Sequence, residues 1–142
     1  MLIIRSSGFG LVELVAGMAL VAVIAGAGAL KLPEVLASLR LSGAVQRLSA
    51  ALRQARGRAL ERGGPVEVQL DDARGLWELR DTSGPVVARD ALPPGIRFAS
   101  LPASRRVRFT AIGTSDNATI ALDAGGPVRR IVVNQRGRVR VQ

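Results

Sequence analysis

Residues 9–30, FGLVELVAGMALVAVIAGAGAL, carry one charge, Glu13, near the start of an otherwise apolar run. A run of about 20 apolar residues is what a membrane-spanning helix needs. A carboxylate in such surroundings either becomes neutral or finds a cation, so its retention asks for a partner or a function. Gly10, Gly17, Gly26 and Gly28 would weaken a helix in water. In a membrane, small residues instead permit close helix packing. The expectation is one transmembrane helix over 9–30. A cleaved secretory signal is the alternative, with Arg5 as its basic flank and Gly26 to Ala29 as its small-residue end. Against it, Glu13 interrupts the apolar region and the pattern continues beyond Lys31 without a polar boundary.

Past Lys31, Pro33 is expected to bend the helix rather than end it. Leu41, Val45, Leu48, Leu52, Ala55 and Ala59 then recur at intervals of three and four, an apolar stripe on one helical face. Arg40, Arg47, Arg53, Arg56, Arg58 and Arg62 occupy much of the rest and read as solvated charge. Gly63-Gly64-Pro65 stops the helix. From Phe9 to Arg62 such a helix would extend roughly 80 Å at about 1.5 Å per residue, with 31–62 as its amphipathic continuation.

After Gly64 the period changes to two. Val66, Val68 and Leu70 alternate with Glu67 and Gln69, Asp71 to Gly75 reads as a turn, and Leu76 to Arg80 returns as a strand carrying Trp77. Short runs follow at Ile96 to Phe98, Arg106 to Phe109, Ala118 to Leu122, Arg130 to Val133 and Arg138 to Val141. Residues 63–142 are thus expected to form an antiparallel β domain of about seven strands, too short for two thick sandwiches. Its apolar face is buried most simply against the stripe of residues 41 to 59, with Trp77 in packing rather than in a ligand platform.

There is no cysteine and no histidine in the 142 residues. A thiol nucleophile, a disulfide framework, the commonest general base and the commonest metal ligands are therefore missing. No ordered catalytic constellation accompanies the Ser, Asp and Glu residues, so neither an enzyme nor a cofactor is expected. The net charge of +9 favours anionic partners without choosing among nucleic acid, acidic lipid and acidic protein.

Gly8-Phe9-Gly10-Leu11-Val12-Glu13 resembles the processing site of type IV prepilins and pseudopilins. The resemblance implies a basic leader, residues 1–8, removed after Gly8 by a prepilin peptidase that then methylates Phe9. It implies that Glu13 is an assembly contact, pairing with the new terminal amine as subunits join a filament. The family's usual threonine after the phenylalanine is Gly10 here, and its usual isoleucine before the glutamate is Val12. A long N-terminal helix followed by a small β domain is similar to the GspH/FimT group of minor pseudopilins. VRFTAIGTSDNATIAL and RRIVVNQRGRVRV resemble that group's C-terminal half. The implied fold is α+β and pilin-like, a long N-terminal transmembrane helix packed against a small antiparallel β domain. The implied placement is the bacterial inner membrane, single-pass, with a periplasmic C-terminal domain. The implied partners are other pilin or pseudopilin subunits, the prepilin peptidase and an inner-membrane assembly platform.

Eight arginines (105, 106, 108, 129, 130, 136, 138 and 140) fall in the last 38 residues against Asp116 and Asp123, a local +6. Strand alternation places Arg138 and Arg140 on one face, about 6.6 Å apart, with Val139 and Val141 on the other. That spacing suits successive phosphates of a nucleic-acid strand. Gly137-Arg138-Val139-Arg140 also resembles the Gly-Arg-any-Arg motif of FimT-like members, which implies DNA binding in natural transformation. Arg129, Arg130, Arg136, Gly137, Arg138 and Arg140 are the candidate anion-binding residues. No aromatic neighbours them, so contacts should be to the backbone and weakly sequence-specific. A basic edge that discourages strand-to-strand aggregation is the competing explanation. The functional expectation is a non-enzymatic minor pseudopilin or minor pilin of a type II secretion system or type IV pilus. A DNA-binding minor pilin is the alternative.

Overall fold

The computed structural model describes residues 10–29, 31–82 and 84–142. Gly8 and Phe9, the expected processing site, lie outside the described residues. The chain divides into two compact units, Met1–Val35 and Leu36–Gln142.

In the first unit, helix α1 runs over Leu11–Ala29. Gly10 starts it, its carbonyl accepting from the amides of Glu13 (2.9 Å) and Leu14 (3.2 Å). Every large apolar side chain from Leu11 to Ile24 is more than half exposed, and Glu13 is exposed among them. The expected transmembrane helix over 9–30 is corrected here: among the described residues, no helix is long and apolar enough to cross a membrane. Helix α1 has 19 residues and carries Glu13 in its first turn. The uncharged part that remains, residues 14–29, rises about 24 Å, against a hydrocarbon core of about 30 Å. Alanine and glycine make up much of its second half. The single-pass, inner-membrane placement that rested on this helix falls with it.

Helix α2, Leu32–Arg62, is a separate element. Its first turn bonds the amide of Val35 to the carbonyl of Lys31 (3.2 Å). Pro33 therefore sits in the first turn of α2, where a missing amide proton leaves no bond unmade. The six stripe residues Leu41, Val45, Leu48, Leu52, Ala55 and Ala59 are all buried, joined by Ala44, Ser49 and Ala51. Gly63 ends α2 in the left-handed region (φ 62°). The amide of Gly64 returns to the carbonyl of Ala59 (3.3 Å), the six-to-one bond of a glycine-terminated helix.

Eight strands follow among the described residues. They are β1 (Val66–Asp71), β2 (Leu76–Asp81), β3 (Val86–Ala91) and β4 (Arg97–Ser100), then β5 (Arg106–Phe109), β6 (Ala118–Asp123), β7 (Val128–Val133) and β8 (Val139–Val141). The strands make two four-stranded sheets, ordered β3-β2-β1-β5 and β4-β6-β7-β8, and every pair is antiparallel. The sequence reading found seven of these strands and missed β3, and it did not divide them into two sheets. In VVARDA of β3 no residue is fully buried, so the alternation that marks a strand is blurred.

One core unites the helix stripe with the inner faces of both sheets. The first sheet contributes Val66, Val68, Leu70, Trp77, Leu79, Val107 and Phe109. The second contributes Ile120, Leu122, Ile131 and Val133. Trp77 is 7 % exposed, a packing residue as expected. At the C-terminal end of α2, Arg58 and Arg62 both face Asp81 of β2, the Arg58 pair at 3.6 Å. That pairing ties the last helical turn to the end of the first sheet.

Candidate functional site

The β7–β8 turn is closed on Asn134. Its carbonyl accepts from the amide of Gly137 (2.8 Å), and its amide donates to the carbonyl of Arg138 (3.2 Å). Its side-chain Oδ1 accepts from the amide of Arg138 (2.9 Å). Gly137 has φ 68°, where an L-residue with a side chain is strained. A Cβ there would also run into the carbonyl oxygen of Gly113 and lie 2.9 Å from Nε of Arg56. That same carbonyl accepts a hydrogen bond from Nε of Arg56 at 3.0 Å. One oxygen therefore joins α2, the β5–β6 connection and the β7–β8 turn, and glycine at 137 is what lets them meet.

Beyond the turn, Arg130 and Gln142 exchange both backbone bonds (2.9 and 2.8 Å). In an antiparallel ladder bonded and non-bonded pairs alternate, so Val139 and Val141 turn their amides and carbonyls to the open edge of β8. Among the described residues, strand β8 pairs with β7 alone. Arg138 and Arg140 are exposed, as the alternation predicts. Arg138 stands just ahead of the strand rather than in it. Of the two valines, Val139 packs against the core. Val141 is 42 % exposed, because an edge strand has no neighbour to cover its far side.

Between α2 and this edge lies an open groove of about 430 Å³, lined by Arg53, Arg56, Gly57 and Leu60 on one side and residues 137–140 on the other. Three of the six candidate arginine and glycine positions, Arg129, Arg130 and Arg136, lie outside its lining. Arg129 pairs with Leu122 and Arg130 with Ala121, which puts them on opposite faces of β7. Arg136 is exposed at the turn, outside the lining of the groove. Arg53 and Arg56, read from the sequence as solvated charge, are the residues that the sequence reasoning missed. Nothing in their spacing announces it, because the groove depends on how the hairpin docks on α2.

Charge pairing separates the arginines into two sets. Glu78 of β2, with a side chain 10 % exposed, is held by Arg80 (2.5 Å) and by Arg89. The Arg80 hydrogen bond, with the help of Arg89, keeps its carboxyl below the ordinary carboxylate value despite partial desolvation. Asp123 is held below its ordinary value as well, by Arg97 (2.8 Å) and by the amide of Gly125 (2.6 Å). Arg105 reaches Asp72 at 2.8 Å and Arg106 reaches Glu67 at 3.8 Å. In contrast Arg53, Arg56, Arg129, Arg130, Arg136, Arg138 and Arg140 form no ion pair among the described residues. Such a groove offers fork-shaped donors to an anion. It holds no group suited to nucleophilic or acid–base chemistry.

Residues 44–137 match the family described as Type II transport protein GspH. Among solved structures, the chain is similar to the type IV minor pilin FimU of Pseudomonas aeruginosa (strain PAO1), with 23% identity over 72% of this chain and 87% of that one and a TM-score of 0.60. It is also similar to the minor pseudopilin EpsH from the type 2 secretion system of Vibrio cholerae, with 13% identity over 72% of this chain and 96% of that one and a TM-score of 0.57. At those identities the likeness is one of fold. No curated protein matches the chain.

Proposed function

The chain belongs to the GspH family of type II transport proteins, and from that premise we propose that its N-terminal segment is the part that joins it to other subunits. It is a structural, non-enzymatic pilin-like subunit of a type II secretion system or a type IV pilus. The observation that carries the assembly reading is α1, whose large apolar side chains from Leu11 to Ile24 stand more than half exposed around one carboxylate. An apolar surface of that extent calls for a covering partner. Neighbouring copies of the same kind of helix supply one. Cleavage after Gly8 by a prepilin peptidase would create an ammonium group at Phe9, four residues before Glu13. Glu13 would then pair with such an amine as subunits pass through the assembly platform. Mass spectrometry of the mature chain should begin at methylated Phe9, and cleavage near Ala29 would overturn the processing reading. Glu13→Ala should leave processing intact and weaken subunit crosslinking. Crosslinking equal to wild type would remove Glu13 as the assembly contact.

A second reading is favoured by the groove beside β8. Arg138 and Arg140 are exposed at the free edge and form no ion pair among the described residues, which suits a phosphate backbone and hence a DNA-binding minor pilin. The full chain, kept dispersed in mild detergent, should bind an oligonucleotide at low salt with little base preference. The affinity should fall steeply with salt, as phosphate contacts require. Arg138→Gln with Arg140→Gln should weaken it at least several-fold, about the loss of two phosphate contacts. No binding by the wild-type chain at low salt would leave the filament role alone.

A further inference from the structure

We propose that helix α2 forms the second wall of this anion site: Arg53 contacts the same phosphodiester backbone as Arg138 and Arg140, while Arg56 acts as the positioning residue that holds the two walls together. The inference rests on the reading of β8 as a nucleic-acid-binding strand and adds residues that lie some 80 positions earlier in the chain.

Among the described residues, four arginines and no carboxylate line the groove. Glu61 and Asp116, the acids of Leu36–Gln142 that have no arginine partner among the described residues, are absent from its lining. Arg53 is exposed and forms no ion pair among the described residues, so its charge is available to a ligand. Arg56 is half-buried. Its Nε is committed to the Gly113 carbonyl, and the residue lines the groove. The open edge of β8 adds the outward-turned amides of Val139 and Val141. Charged forks on two walls with peptide donors between them suit an extended chain of phosphates better than a single ion.

Gly57 is the second, independent observation. It sits inside α2, five residues before its end at Arg62, where glycine weakens a helix. Its φ is ordinary and nothing lies within 4 Å of where a Cβ would be, so neither backbone strain nor packing requires glycine. Its missing side chain keeps the α2 wall bare between Arg53 and Leu60. Phosphate groups can then come close to the helix. No aromatic residue lines the groove, so bases find no stacking platform there. Recognition is of the backbone.

The test uses the full chain in mild detergent and a labelled oligonucleotide, titrated by fluorescence anisotropy at two salt concentrations. Arg53→Gln should lower affinity about three- to tenfold at low salt and reduce the log–log salt slope by about 0.7 to 0.9. Gly57→Glu, whose Cβ would have nothing within 4 Å, should lower it more by placing a carboxylate in the groove. Gly57→Ala should bind as wild type does. Circular dichroism keeps folding separate from binding. If Arg138→Gln/Arg140→Gln loses affinity while Arg53→Gln and Gly57→Glu keep it, α2 is no part of the site and the β8 reading stands. If the wild-type chain does not bind at low salt, the β8 reading itself fails. Equal affinity for a polyglutamate chain would replace the phosphodiester with an acidic polypeptide.

Discussion

The two ends of the β domain hold arginine in similar numbers and use it in opposite ways. Around the β3-β2-β1-β5 sheet, Arg74, Arg80, Arg89, Arg105 and Arg106 each meet a carboxylate, with Arg108 the exception. At the β7–β8 end, Arg129, Arg130, Arg136, Arg138 and Arg140 meet none among the described residues, and Arg53 and Arg56 of the facing helix meet none either. The difference follows from where the acids are. Asp and Glu recur between the arginines of β1 to β3, whereas no acidic residue follows Asp123. A net charge of +9 is therefore a poor guide by itself. What creates an anion site is arginine that no carboxylate has already neutralised.

The sharpest way to break this comparison is through the turn that positions the unpaired set. Gly137→Val should destabilise the chain by about 3 kcal/mol or more, combining a left-handed backbone with a backbone clash. Gly57→Ala should instead leave stability equal or raise it by up to about 1 kcal/mol. Urea unfolding of both variants would measure this. An unchanged midpoint for Gly137→Val would mean that the turn is not anchored at the Gly113 carbonyl.

Next in size is a functional contrast between two double substitutions. Arg138→Gln with Arg140→Gln should lose oligonucleotide affinity several-fold and leave the urea midpoint in place. Arg80→Gln with Arg89→Gln should do the reverse, because it strands the nearly enclosed carboxylate of Glu78 and leaves the groove intact. Equal loss of affinity in both would make the charge merely additive, and the comparison would fail.

The paired set should also be the source of acid sensitivity. Glu78 and Asp123 titrate below their ordinary values in the folded chain. Their contribution to stability is thus complete above the unfolded carboxylate range, about pH 4, and disappears as pH falls through the lower folded values. Thermal melts should show a midpoint falling below about pH 4, with a shallower fall in Glu78→Gln and in Asp123→Asn. An undiminished slope in both variants would place the acid sensitivity elsewhere. The smallest effect is expected at Arg74, 77 % exposed and 3.8 Å from Asp71. Arg74→Gln should change stability by less than about 0.5 kcal/mol in a urea titration, and a larger loss would show that even the exposed pairs hold the first sheet together.

Much of the fold was legible in the residues. The stripe Leu41 to Ala59 is buried as its spacing requires, and Gly63 ends the helix. The Asp71 to Gly75 turn forms with Asp71 Oδ1 accepting from the amide of Arg74 at 3.0 Å. Alternation could also have separated Arg129 from Arg130, since neighbouring residues of a strand face opposite ways. The transmembrane reading did not survive, because Glu13 and the helix end at Ala29 leave too short a span. Sequence alone determined the local features: period, breaks, turn chemistry and the acid-free stretch after Asp123. These depend on residues a few positions apart, whose geometry the backbone fixes. Tertiary structure decided the rest. Strand β1 pairs with β5 and β4 with β6, dividing the domain into two sheets. Arg56, Gly113 and Gly137 converge on one carbonyl, and Arg53 is brought opposite Arg140 across the groove. Those contacts join residues tens of positions apart, and only burial of the shared core selects which of them form.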